Sequence, residues 1–502
     1  MDIINSANSQ SALIATVQSV EDSAVDPWSY SLSRYTPAHA KGWTRLGAVN
    51  PQQAQFGGSV YFDIPKLGWL TDMCFSCNVE FPAGDGTPAL SLDNCIGLPS
   101  TGWLNIFDSV VIQSSSRELY RATRAAMLCT FSDLDHAQRM AIQRGLSMKC
   151  DPLVSFPQGT PSDAIEGKMK ILLPLLLACT GKSDLNIPAL FSEPVRVVIN
   201  FAPNYAWLTQ VVKVAGGGTV IGGAAWANPS KGVGDAIIPL TFTDPELIMQ
   251  QVSLPAELTA STLQQNYSSG SLTQLSYNYV EEVVRNTATL PNGGSEGAEY
   301  SHVLTSTNCV HDIYVYCSIP ASSLDGGLVN AADDCRDVVG MLETPIPLAS
   351  VAFSASGQNI VESVNAEFLG LFGRPTTGDG FYQTCGGGGF LGKFPVNAVS
   401  PTDESGFRDV MNSCYVYRIT FSESASKLFS GNMINLRELS QPTITVRLPR
   451  VSTIPNARTT YANDHVPQPA QNQVVQMHVV LRTAGLISTD SANGRTVAVL
   501  SN

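Results

Sequence analysis

Charge is scarce in this 502-residue sequence: 14% of residues are Asp, Glu, Lys or Arg, against 44% hydrophobic. So little charge excludes a disordered, solvating chain. Basic residues are the scarcer sign, 29 Lys and Arg against 42 Asp and Glu, for a net charge of −13. An acidic balance argues against a surface that coats nucleic-acid phosphates, so direct DNA or RNA binding is not expected. Long apolar runs are missing too. The longest, Ile171–Cys179, is interrupted by Pro174 and falls far short of the ~20 residues that span a bilayer. Val214–Ala227 is uncharged, but glycine-rich and also short. The N-terminus carries Asp2, no early Lys or Arg, and only the brief apolar run Ala12–Val17. That does not read as a secretory signal, so synthesis in the cytosol is expected. Long helical periodicity is nearly absent, Leu119–Leu146 being the best candidate.

There are 11 cysteines, an odd number scattered over both halves. Disulfide frameworks belong to small secreted scaffolds, which this is not, so buried thiols are expected. The sequon Asn266-Tyr267-Ser268 is then expected to be inert. What fills the chain is short alternating or apolar runs cut by Gly, Pro, Asn and Ser. Val60–Ile64, Asp72–Phe81, Ser109–Gln113, Val195–Phe201, Asp312–Ile319, Tyr415–Phe421, Thr443–Leu448 and Val474–Leu481 all read as strands. Many short strands in a large chain indicate a sandwich or barrel. Pro291-Asn292-Gly293-Gly294 is a turn signal between two such runs. Ala321–Leu342 and Gly373–Phe407 read as long loops, and Pro203–Asp244 as a mid-chain connector. Mean hydropathy is +0.06, slightly apolar for a soluble monomer, which hints at surface covered by partners.

The chain also repeats itself. Asp72-Met73-Cys74-Phe75-Ser76-Cys77 parallels Asp312-Ile313-Tyr314-Val315-Tyr316-Cys317, 240 residues on. Phe107-Asp108-Ser109-Val110-Val111-Ile112 parallels Leu348-Ala349-Ser350-Val351-Ala352-Phe353, and Ser115 falls on Ser356, both at an offset of 241. Phe191-Ser192-Glu193-Pro194 parallels Leu439-Ser440-Gln441-Pro442 at an offset of 248. Three short matches in one order at nearly constant spacing predict a tandem duplication of one β domain. The organisation expected is an N-terminal arm (1–35), a first unit (36–210), a connector (211–244) and a second unit (245–502).

This order of elements resembles the double jelly-roll major capsid proteins of nucleocytoplasmic large DNA viruses. Ser350–Gln358 resembles that family's strand ending in an NGQ-type turn, and Glu362–Gly370 follows where it places a short helical aromatic segment. Tyr415–Phe421 resembles its YVYSF-type strand, and Ser430-Gly431-Asn432 with Asn435 its SGxxNFSR segment. Val475–Leu486 and Arg495–Leu500 stand where the family's last strands do. In the first half, Trp103–Leu119 and Ile171–Phe201 match more loosely. Ser114–Ser116 replace the glycines of a GGQ-type turn, and Arg437-Glu438 replaces an Arg-Ile-Asp run. The resemblance implies an all-β chain of two tandem eight-stranded jelly-roll sandwiches with short helices and long loops. It implies a major capsid subunit whose homotrimers form pseudo-hexameric tiles of an icosahedral virion shell. Partners would be other copies, neighbouring capsomers, minor capsid and penton proteins, and an internal membrane reached through the N-terminal arm. The alternatives are a minor double jelly-roll capsid protein and a carbohydrate-binding β-sandwich protein.

Chemical motifs are few, and no catalytic, cofactor-binding or metal-binding residue is assigned. Cys74-Phe75-Ser76-Cys77 is a CxxC, the spacing of a redox pair or half a zinc site. In a strand, residues three apart face opposite sides, so a buried strand is the expectation. Gly181-Lys182-Ser183 looks like the end of a phosphate-binding loop, but Leu176 stands where that loop needs glycine. Ser301, His302, His311 and Asp312 cluster loosely, and Gly293-Gly294-Ser295-Glu296-Gly297 matches GxSxG without the strand before or helix after. His311 is expected as a polar edge residue. Glu281-Glu282 and Asp333-Asp334 are expected as solvated pairs, an ion site in the Ala321–Leu342 loop being the alternative for the latter. Gly386–Gly389 reads as an exposed loop tip. A glycosidase reading would need two convergent carboxylates, and no acid pair has that spacing.

Overall fold

The computed structural model describes residues 40–80, 94–97, 101–132, 141–146, 153–154, 168–175, 187–203, 211–213, 241–253, 271–286, 298–318, 345–365, 416–421, 433–448, 475–490 and 495–501, apart from 116, 143, 191 and 347. The first half supplies β1 (Ala40–Gly47), β2 (Ser59–Ile64), β3 (Trp69–Glu80), β4 (Asn94–Gly97), β5 (Phe107–Ser114), β6 (Arg117–Thr123), β7 (Leu153–Val154), β8 (Lys168–Leu175), β9 (Val195–Phe201), β10 (Val211–Lys213) and β11 (Thr241–Ser253). A helix, α1 (Arg124–Ser132), follows β6. The second half supplies β12 (Ser271–Asn286), β13 (Glu299–Val303), β14 (Cys309–Ser318), β15 (Pro345–Ile346), β16 (Ser350–Ala355), β17 (Gln358–Asn365), β18 (Tyr417–Thr420), β19 (Ile434–Asn435), β20 (Thr443–Arg447), β21 (Val475–Asp490) and β22 (Arg495–Ser501).

These strands pair into two sandwiches of one design. In the first, β1-β11-β3-β8 forms one antiparallel sheet and β2-β9-β5-β6 the other. In the second, β12-β21-β14-β18 repeats the first order, and β13-β20-β16-β17 the second. The three sequence repeats fall on β3 and β14, on β5 and β16, and on the approaches to β9 and β20. Even the turn recurs: Ser115 and Ser356 both adopt positive φ, 50° and 53°. The fold is therefore the expected pair of tandem eight-stranded jelly rolls. Three short strands, β4, β7 and β10, form a small additional sheet.

Period-2 patterning builds each core. Along β9, Val195, Val197, Ile199 and Phe201 are buried, while the residues between them are half-exposed. Facing sheets meet through aromatic rings: Phe75 of β3 packs edge-on to Phe62 of β2 at 6.0 Å and to Phe107 of β5 at 5.7 Å. Such pairs add roughly 0.5–1.5 kcal/mol each beyond their area burial. In the second sandwich, Ile313, Val315, Val479 and Leu481 of one sheet meet Val351, Phe353, Ile444 and Val446 of the other.

Two expectations are corrected. The helix predicted from Leu119 begins only at Arg124, because Leu119–Thr123 pairs with β5 as β6; among the described residues of the expected span, Arg124–Ser132, Ala141, Ile142, Arg144 and Gly145 are helical. The expected division at 244/245 cuts a strand: β11 hydrogen-bonds between β1 and β3, so the chain through Ser253 closes the first sandwich. The glycines of the connector hid this return, since they separate β11 by sequence from the sheet it completes. The N-terminal arm, Gly181–Ser183, Asn266, the Pro291 turn, Ser295, Asp333-Asp334, the Ala321–Leu342 and Gly373–Phe407 loops and Gly386–Gly389 lie outside the described residues.

Candidate functional site

The candidate site is the seam where the two sandwiches meet. A sandwich sheet normally buries one face, as β16 does with its alternating pattern. β14 is buried at all ten of its positions. Ile313, Val315 and Cys317 point into the second core, while Tyr314 and Tyr316 join the cluster of the first. On the same seam face lie Tyr279 of β12 and Val480 of β21. They are covered by β6 and α1 of the first sandwich, where Tyr120 packs edge-on to Tyr279 at 6.4 Å. Covering explains why α1 is buried at seven of nine residues, on more than one face. Its first turn is capped by the Thr123 hydroxyl, which accepts from the Ala126 amide at 3.2 Å.

Polar groups in the seam are tied to one another. Asp312, fully buried, accepts from Arg418 Nε at 2.9 Å and Nη2 at 2.8 Å, and from Arg482 Nη2 at 2.5 Å. His311 Nδ1 lies 2.9 Å from the same carboxylate. Burial pushes the Asp312 carboxyl up, but Arg418, Arg482 and His311 more than offset this and hold it well below the usual carboxylate range. One carboxylate against two guanidiniums fixes the register of β18, β14 and β21, since each contributes one member of the cluster.

A second chain of hydrogen bonds runs from Ser318 Oγ to His478 Nε2 at 3.1 Å, then from His478 Nδ1 to Glu281 Oε1 at 3.1 Å. Tyr316 stacks on the imidazole at 4.5 Å. Serine, histidine and carboxylate stand in the order of a hydrolase triad. The serine, however, is fully buried at a strand end rather than raised on a strained turn, so no substrate carbonyl reaches it. Burial pushes Glu281 up, but hydrogen bonds from His478 and Thr123 and the charge of Arg124 bring it below its ordinary value. Thr123 and Arg124 come from the first sandwich, so this chain crosses the seam.

The residues singled out by sequence are placed as follows. Cys74 and Cys77 are free thiols on opposite faces of β3, Cys77 in the core and Cys74 half-buried outside it. His302 bonds Glu282 at 2.6 Å, and Ser301 pairs with Thr445 at 2.9 Å, so neither joins His311. His311 is corrected from edge residue to buried centre, because β14 is flanked by β21 on one side and β18 on the other. Glu281 and Glu282 do face opposite sides, but neither is a solvated surface group. Glu281 joins the seam, and Glu282 accepts from the amides of Thr305 and Ser306 at 3.0 and 2.9 Å. Sequence reasoning passed over Ser318, Arg418, His478 and Arg482, which lie up to 164 positions apart with no motif spacing. The one signal was polar residues inside otherwise apolar strands. Among the described residues, no group of three or more His, Cys, Asp or Glu side chains is placed to hold a metal ion.

No protein-family model matches the sequence, and no curated protein is similar to it at the sequence level. Among solved structures, the chain is similar to VP54 of PBCV-1, fitted into a cryo-EM reconstruction of the virophage Sputnik. The TM-score is 0.58 at 10% identity, over 95% of this chain and 99% of that one. It is similar to a chain of a quasi-atomic model of the PBCV-1 virus capsid, with a TM-score of 0.57 at 12% identity over 95% and 99%. At such identities the likeness is one of fold, and the fold is the double jelly roll.

Proposed function

We propose that the chain is a structural virion protein, the major capsid subunit of an icosahedral shell, acting as a homotrimer. The observation that carries this reading is the doubled sandwich itself. The same eight-strand order occurs twice in one chain, and the pair is similar over 95% of its length to a chain of a virus capsid. The seam gives the mechanical reason. A shell subunit must transmit load as one block, and the packed tyrosines Tyr120 and Tyr279, with the hydrogen bonds of Thr130 to Tyr279 and of Thr123 to Glu281, resist sliding of one sandwich over the other. Three copies then present six sandwiches, a near-hexagonal tile that meets its neighbours edge to edge. The reading extends to neighbouring capsomers, to minor capsid and penton proteins, and to an internal membrane beneath the N-terminal arm. In this reading the first unit runs through Ser253 and the second from about Ser271.

An obligate assembly of this kind buries more than ~2,000 Å² per contact. Light scattering of the purified protein is expected to give a trimer, and a monomer at every concentration overturns the reading. Ranking the chains of purified particles by abundance separates a major from a minor capsid role.

A further inference from the structure

Strand register makes the two sandwiches comparable residue by residue. Leu46 of β1 pairs with Leu247 of β11, which pairs with Phe75 of β3. Glu282 of β12 pairs with Val479 of β21, which pairs with Val315 of β14. Phe75 and Val315 are equivalent in the sequence repeat, so Glu282 holds the place of Leu46. In the other sheet, Phe62 of β2 pairs with Val197 of β9, which pairs with Ile112 of β5. His302 of β13 pairs with Ile444 of β20, which pairs with Phe353 of β16. Ile112 and Phe353 are equivalent, so His302 holds the place of Phe62.

The same place is filled by opposite chemistry. In the first sandwich Phe62 is fully buried in the core, and Leu46 packs against that core. In the second, His302 Nε2 lies 2.6 Å from Glu282 Oε2, the two side chains 20% and 9% exposed. A carboxylate only accepts, so the imidazole donates. Among the described residues, β12 and β13 are end strands in the pairing order of their sheets, so this bridge closes one side of the sandwich. The same carboxylate accepts from the Thr305 amide and hydroxyl and from the Ser306 amide, which ties down the turn that leads into β14. The first sandwich shows that the fold does not require charge here. Apolar residues of similar volume often stabilise such a site as well as an ion pair does. What the polar pair adds is a response to protons.

We propose that His302 and Glu282 form a proton-dependent latch on the second sandwich, closed most tightly in mild acid. Histidine takes up its proton between about pH 5 and 8. Above that range the latch is a hydrogen bond from a neutral ring. Once the ring is protonated, the same contact joins two opposite charges, and such bonds are shorter and stronger. In stronger acid Glu282 is protonated, and latch and turn are released together. Burial pushes the Glu282 carboxyl up, but His302 and the Thr305 and Ser306 bonds hold it below its ordinary value, so mild acid leaves it ionised. Nearby charges are engaged elsewhere: Glu281 points to His478 and Arg124 in the seam, and Glu299 pairs with Arg447 on the outer face. The latch does not depend on the capsid reading. In a shell, it makes each subunit firmer rather than looser as the medium turns mildly acidic.

The test follows hydrogen exchange of the full-length protein by mass spectrometry, in the peptide that carries Thr305 and Ser306, corrected for the intrinsic effect of pH. Protection is expected to be on the order of five-fold higher at about pH 5.5 than at about pH 8, the gain from a second charge on the bond. The equivalent turn of the first sandwich, Pro65–Gly68, is expected to show no such step. His302→Gln keeps a donor for Glu282 but takes up no proton, and is expected to remove the step. His302→Phe with Glu282→Leu, the pair of the first sandwich, is expected to keep the β spectrum in far-UV circular dichroism and to show no step. Equal protection at both pH values in the wild type, a step of the same size in Pro65–Gly68, or a step that survives in His302→Gln overturns the latch. The last result would place the response at His311 or His478.

Discussion

Asp312 shows how much one side chain decides here. With no exposed surface, its carboxylate is the shared partner of Arg418 and Arg482. Asp312→Asn leaves two guanidiniums buried against a neutral amide, and breaking a buried pair in this way costs about 3–5 kcal/mol. Chemical denaturation is expected to show a loss of that order. The same group makes stability depend on acid. The Asp312 and Glu282 carboxyls lie below their ordinary values of 3.8 and 4.5, burial being outweighed by the arginines for the first. For Glu282 burial is outweighed by His302 and the Thr305 and Ser306 amides. A depressed folded pKa contributes stability above the unfolded value and loses it as pH falls. The urea midpoint is therefore expected to drop as pH falls below about 4.5, and Glu282→Gln to flatten the upper part of that fall. A midpoint constant down to pH 3 contradicts the assignment.

At the scale of elements, the β5–β6 hairpin and strand β3 are the instructive cases. Ser115 is held at a φ of 50°, a region that serine enters less readily than asparagine or glycine. Ser115→Asn keeps the turn and relieves that preference, so a gain of roughly 0.5 kcal/mol is expected in the melting curve. On β3, burial pushes the Cys77 thiol up to about 12. Burial likewise raises the Cys74 thiol to about 11, Lys170 opposing the rise. Only the thiolate is nucleophilic or binds metal. Native protein at pH 8 is expected to leave Cys77 unalkylated and to retain no zinc after dialysis; rapid labelling of both cysteines would restore the redox reading of the CxxC.

For the whole molecule, the arm that precedes β1 makes the capsid reading testable. Ile3–Val20 carries no charge, and Glu21-Asp22 end the run. In the capsid reading, a segment of this kind is suited to lie between the tile and what lies beneath it. Deleting residues 1–20 is expected to leave soluble trimers and impair shell assembly. The arm is expected to resist protease in particles and to be cut in free trimers. Normal particles without it would make the arm a tail.

The sequence by itself determined what local chemistry determines. Alternation in Val195–Phe201 and Thr443–Arg447 set the strands, turn serines at matching offsets exposed the duplication, and scarce basic charge argued against a nucleic-acid surface. These signals are legible because a strand's period and a turn's φ preference act over a few residues. Tertiary structure alone decided the rest. Nothing near Thr241 says that its strand returns to pair with β1, some 200 positions earlier, because long-range pairing leaves no local trace. Nothing near Ser318, His478 or Asp312 announces a seam. A buried polar group is stable only beside its partners, and only the long-range pairing of β12, β21, β14 and β18 in one sheet brings those partners together.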